Sequence, residues 1–195
     1  MLLITISLSL LDAAYRPVDD RVLACNLVDR SCDEETAANA LVDGINAAAV
    51  LESGRPGEAL DYLREATQLS RSEPLIASLF GHALIATEDE SNYEEAERVL
   101  RASVGRDRYN PFAWYQLGVV YAARGDMPRA RLASAEQQVM KREYALAMRS
   151  AQAAEAGLPV GSPDWLRAQD IGMQARALLE QQCEMSKDRS CRRRR

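Results

Sequence analysis

A short apolar pattern recurs along this chain at a near-constant interval, and that recurrence restricts the fold more than any other feature. Trp114, Leu117, Gly118 and Tyr121 share one helical phase. Gly125-Asp126 supplies a turn, and Ala130 and Ser134 begin a second helix with small side chains where two helices would cross. The pattern returns upstream: Pro74 to Pro111 and Gly81 to Gly118 are each separated by 37 residues, and Ala96 to Ala130 by 34. The extra residues fall in the polar stretch 87–92 (TEDESN), where lengthening a turn costs little loop-closure entropy. A third copy begins near Ala40, with Ala47 placed 34 residues before Gly81, Gly54 at the turn, and Ala59, Leu63 and Ala66 on the helix that follows. Alanine is abundant and aromatics make up only 6% of the chain, which suits closely packed helices. The expected fold class is therefore all-α, built from helical hairpins.

The spacing Trp114-x2-Leu117-Gly118-x2-Tyr121 resembles the first helix of a tetratricopeptide repeat (TPR), which implies a TPR-type helical-hairpin solenoid. In that reading Gly118 lets the partner helix approach closely. After residue 142 the pattern shifts by half a period: Tyr144, Ala147, Ala151 and Ala154 arrive 17 residues after Met127, Ala130, Ser134 and Gln137. The stack then continues by single helices. Gly157, Leu158 and Pro159 end one of them. Ser162-Pro163-Asp164 then starts the last, with serine as N-cap, proline in the first turn and an acid near the positive end of the helix dipole. That capping helix should run from Pro163 to about Gln182, with Trp165, Leu166 and Ile171 covering the last face of the stack. The domain reading is an N-terminal segment over 1–35, the solenoid over 36–182 and a basic tail, without order, over 183–195.

A narrower resemblance covers residues 40–171. Residues 51–59 (LESGRPGEA), 74–87 (PLIASLFGHALIAT), 110–122 (NPFAWYQLGVVYA), 132–136 (LASAE) and 161–171 (GSPDWLRAQDI) resemble the C-terminal TPR domain of bacterial periplasmic zinc metallopeptidases of the beta-barrel-assembly-enhancing type. The resemblance implies a periplasmic protein in envelope-protein quality control, with a metallopeptidase domain or an outer-membrane protein as partner. The catalytic motif of that family is His-Glu-x-x-His. His82 is the single histidine here, so that motif is absent and the chain is expected not to be an enzyme. The alternative is a substrate-recruiting fragment of a metallopeptidase whose catalytic domain is missing or separately encoded. No cofactor and no metal site are expected.

In TPR hairpins the inner helices face a concave groove. The positions that map to it are Leu41, Gly44, Ala48 and Leu51; then Leu75, Ser78, His82 and Ile85; then Phe112, Tyr115, Val119 and Ala122. From these, Leu41, Leu51, Leu75, Ser78, His82, Ile85, Phe112, Tyr115 and Val119 form the candidate partner-binding site, suited to an extended or helical protein segment. A competing occupant is the chain's own apolar stretch 2–11.

Other classes are disfavoured. The formal net charge is −5 and the cations of the run Lys187 to Arg195 are terminal, so the body is no electrostatic binder of nucleic acid. The stretch 2–11 (LLITISLSLL) is shorter than the ~20 residues of a membrane span. It also lacks the basic lead of a secretory signal, so a start at Met1 without export would place the protein in the cytoplasm. Cys25, Cys32, Cys183 and Cys191 have no zinc-knuckle spacing and read as unpaired thiols, or as disulfides if the protein is exported.

Overall fold

Proline in the first turn opens most of the helices, because its missing N–H would be without a partner there in any case and its fixed φ suits a helix start. The computed structural model describes residues 34–70 and 73–186. Among them the order is α1 (Glu34–Glu52), α2 (Pro56–Leu69), α3 (Pro74–Ala86), a 3-10 turn (Glu90–Asn92), α4 (Tyr93–Arg106), α5 (Pro111–Ala123), α6 (Met127–Met140), α7 (Tyr144–Gly157) and α8 (Pro163–Ser186). The fold is all-α: α1, α2 and α3 pack in sequence as TPR-like hairpins, and so do α4, α5, α6, α7 and α8. The last helix extends beyond the predicted end at Gln182, to Ser186.

Side chains cap several starts. Glu73 accepts from the backbone N–H groups of Leu75 and Ile76, Asn110 from Phe112 and Ala113, and Asp126 from Arg129. Ser162 Oγ accepts from Trp165 N at 3.2 Å, as its position before Pro163 predicts. The turns after α1, α5 and α6 share one design. Gly54, Gly125 and Arg142 take positive φ of 77°, 80° and 61°. The next residue's N–H reaches back to a carbonyl of the last helical turn: Arg55 to Val50, Asp126 to Tyr121 and Glu143 to Gln138. Arg142 holds without glycine a conformation that glycine adopts freely.

The chain divides into two units, Met1–Asn92 and Tyr93–Arg195, and the division falls at the lengthened turn. In that turn Glu88 has φ 55°, and Thr87 Oγ1 accepts from the Asn92 side-chain amide at 2.9 Å. The core of the first unit is alanine-rich: Ala40, Ala47, Ala59, Ala66, Ala77 and Ala83 surround Leu63, Phe80 and Leu84. The Arg64 guanidinium lies 5.8 Å from the centroid of the Phe80 ring, joining α2 to α3.

In the second unit α7 packs against both α6 and α8, continuing the stack helix by helix as the half-period shift predicts. Leu132, Ala135, Ala151, Ala154, Leu158, Ala168 and Ile171 form one buried cluster, with Val139 and Trp165 partly buried against it. Ile171 therefore covers the end of the stack, whereas Leu166, expected to share that role, is half exposed. Glycine matters elsewhere than predicted. A Cβ on Gly118 would sit 3.5 Å from the Ala133 methyl, an ordinary contact, so close approach does not require glycine there. A Cβ on Gly157 would come within 2.6 Å of Pro128 Cγ, so it is at Gly157 that α6 and α7 meet too closely for a side chain.

Of the two readings of the cysteines, the unpaired one does not hold for Cys183, which is disulfide-bonded; Cys25, Cys32 and Cys191 lie outside the described residues. Spacing along the chain could not show this, since a disulfide requires proximity in space. The stretch 2–11, the rest of the segment 1–33 and the tail 187–195 also lie outside the described residues.

Candidate functional site

The Asn110 cap and Pro111 fix where α5 begins and hence the phase of each of its side chains. At about 100° per residue, Phe112, Tyr115 and Val119 fall on one side and Trp114, Leu117 and Tyr121 on the opposite side. The first set is the predicted groove stripe. Phe112 is 37% and Tyr115 52% exposed, and Val119 is half-buried.

The remaining predicted residues belong to the first unit. Leu75 is 61% exposed, while Leu51, His82 and Ile85 are half-buried. Ser78 has no exposed surface, and its Oγ donates to the Leu75 carbonyl at 2.8 Å, so it is an interior residue and cannot touch a partner. Its predicted place in the groove is corrected by that burial. The Leu41 side chain is not among the described ones.

The opposite side of α5 opens onto a cleft that sequence reasoning missed. It has a volume of about 360 Å³ and is walled by α4, α5, α6 and α8, all within the second unit. Its apolar walls include Val104, Leu117 and Leu132; its charged ones are Arg101, Arg108, Arg129, Arg167, Glu136 and Asp164. Arg101 and Arg108 stand seven residues apart and so share a face of α4. Trp114 Nε1 donates to the Arg108 carbonyl at 3.0 Å, holding the connection between α4 and α5 against the cleft rim.

Ion pairs of Arg167 and Arg129 tie the walls of the cleft together. Arg167 binds Glu136 with both arms, Nε to Oε1 at 2.6 Å and Nη2 to Oε2 at 2.8 Å, joining α8 to α6. Glu136 is 5% exposed. Arg129 donates through Nε to Asp164 at 2.8 Å and through Nη1 to Asp126 at 3.0 Å. These bonds hold both guanidinium groups more firmly protonated than a free arginine, Arg167 through its bond to Glu136 and Arg129 through its bond to Asp164. Tyr121 is 7% exposed, and burial pushes its phenol pKa upward against the pull of Arg101. Its hydroxyl has no hydrogen-bond partner among the described residues.

A signal for this cleft was present in the sequence. Residues 132–136 and 161–171, the two stretches least typical of a generic TPR, supply Leu132, Ala133, Glu136, Asp164 and Arg167 to its walls. Their charged members pair across more than thirty positions, which a local pattern search does not examine. Among the described residues no cluster of His, Cys, Asp and Glu could hold a metal ion, and no helix is long and apolar enough to cross a membrane.

No protein-family model matches the chain, and no curated protein matches it. Among solved structures the chain is similar to that titled "Crystal structure of MamA", with 15% sequence identity and a TM-score of 0.45 over 86% of this chain and 89% of that one. Likeness of that degree assigns neither a family nor a function.

Proposed function

We propose that this chain is a non-catalytic protein-interaction scaffold that holds an apolar or amphipathic segment of another protein against exposed helix faces. The observation that carries this reading is the Phe112–Tyr115–Val119 stripe, which sets two partly exposed aromatic rings on a helix fixed from behind by the buried Leu117 and Val120. Aromatic anchors on a rigid element bring large contact area at small entropic cost and dominate binding energy at interfaces. Leu75, Leu51, His82 and Ile85 form a candidate surface of their own in the first unit. A narrower assignment, to envelope-protein quality control beside a metallopeptidase or an outer-membrane protein, rests on the resemblance of residues 51–59, 74–87, 110–122, 132–136 and 161–171 alone.

The test is a photoreactive residue at Tyr115 in the native host, followed by binding measurements with the captured protein in purified form. Tyr115→Ala should weaken that binding about tenfold or more with unchanged helicity. Crosslinks confined to the chain's own N-terminal segment would show the face to be filled internally and would end the scaffold reading for this stripe.

A further inference from the structure

We propose that the cleft walled by α4, α5, α6 and α8 is a second binding site, separate from the aromatic stripe, which takes an acidic peptide segment carrying an apolar residue next to its carboxylate. Charge is the first argument. The chain as a whole carries −5, yet four arginines and only two carboxylates line this cleft. Both carboxylates are already committed, Glu136 to Arg167 and Asp164 to Arg129, so neither is free to recruit a cation.

Donors are left over instead. Arg129 spends Nε and Nη1, and Arg167 spends Nε and Nη2, leaving one terminal amino group on each. Arg108 has no ion-pair partner among the described residues, and Arg101 approaches Glu97 only at 3.5 Å. Tyr121 lines the same wall, and its hydroxyl adds a neutral donor.

The other wall decides what accompanies the charge. Val104, Leu117 and Leu132 present hydrocarbon beside these donors, and about 360 Å³ lies at the small end of ligand sites. An aspartate or glutamate with a neighbouring leucine-sized side chain matches both halves. A nucleic acid matches neither, since its run of phosphates would meet the acidic body of the chain, and its bases gain nothing from aliphatic walls.

The experiment is fluorescence anisotropy on the full chain with a fluorescein-labelled hexapeptide of alternating leucine and aspartate, and with the same peptide carrying asparagine for aspartate. Trp114 lines the cleft and supplies an intrinsic signal for occupancy. The aspartate peptide should bind about tenfold more tightly than its asparagine counterpart, and Arg108→Ala should remove most of that difference. Tyr121→Phe, which keeps the ring, should cost about threefold. Thermal unfolding of each variant, matched to the parent, keeps a folding defect from mimicking lost binding. Phe112→Ala and Tyr115→Ala, on the far side of α5, should leave the affinity unchanged, so the two surfaces can fail independently. Equal affinity for the two peptides would overturn the proposal. So would indifference to Arg108→Ala, or saturable binding of inorganic phosphate or an oligouridylate where the aspartate peptide does not bind.

Discussion

The two units solve the same packing problem with different chemistry. In Met1–Asn92 Arg55 pairs with Glu58 and Arg64 with Asp61, each three residues apart on an exposed helix face, and the hairpins close on alanine faces around Leu63 and Leu84. In Tyr93–Arg195 charged side chains cross between helices: Arg124 bonds Glu97, Arg129 bonds Asp164, Arg167 bonds Glu136, and Gln169 bonds Glu155 at 2.8 Å. Alanine packing needs no partner chosen in advance, because one methyl face fits another. A buried carboxylate fits only where a specific donor waits. The second unit is thus more demanding in its sequence, and the cleft lies among those same ties.

Arg167→Met offers the strongest way to break the comparison. It leaves the Glu136 carboxylate buried without its partner and should cost about 3 kcal/mol, read as a lower urea midpoint. Pairing it with Glu136→Leu should recover most of the loss, since an apolar pair of similar volume tolerates burial. Both tryptophans, Trp114 and Trp165, lie in the second unit, so indole fluorescence follows that unit directly. Gly157→Ala should follow, at about 1–3 kcal/mol, because its methyl would collide with Pro128, whereas Gly118→Ala should be neutral or slightly stabilising. If Gly118→Ala proved the more damaging of the two, the placement of the tight crossing at Gly157 would be wrong.

A third test treats both units alike. Glu88→Gly and Arg142→Gly each relieve a left-handed backbone and should raise stability by up to ~1 kcal/mol, visible as a small increase in Tm. The smallest effect is expected in the first unit, where Arg64→Ala removes the stacking on Phe80 together with an exposed contact to Asp61 and should cost about 0.5–1 kcal/mol. A loss there as large as that of Arg167→Met would erase the distinction between the units.

Much of the architecture was legible because it is local. Proline starts, glycine turns and the 34-residue interval are each written within a few positions, and so they located α2, α3, α5 and α8 and the half-period shift that produces α7. Arg142 escaped notice because no glycine marks its turn; the Glu143-to-Gln138 bond shows a geometry that the residue type does not announce. Ser78 was misplaced for a related reason, since helical phase gives a direction but not what stands in that direction. The cleft was hidden more deeply still: Arg129 with Asp164 and Glu136 with Arg167 become neighbours only when α8 returns onto α6.

The shared turn after α5 and after α6 has a consequence for how such a chain could change length. Because the same three-residue reversal follows each helix, a helix is at once the second arm of one hairpin and the first arm of the next. The module that can be gained or lost is then one helix with its reversal, rather than a pair. Each such event would exchange the inner and outer roles of every helix beyond it, so an odd change in copy number would present a different surface downstream with no side chain altered.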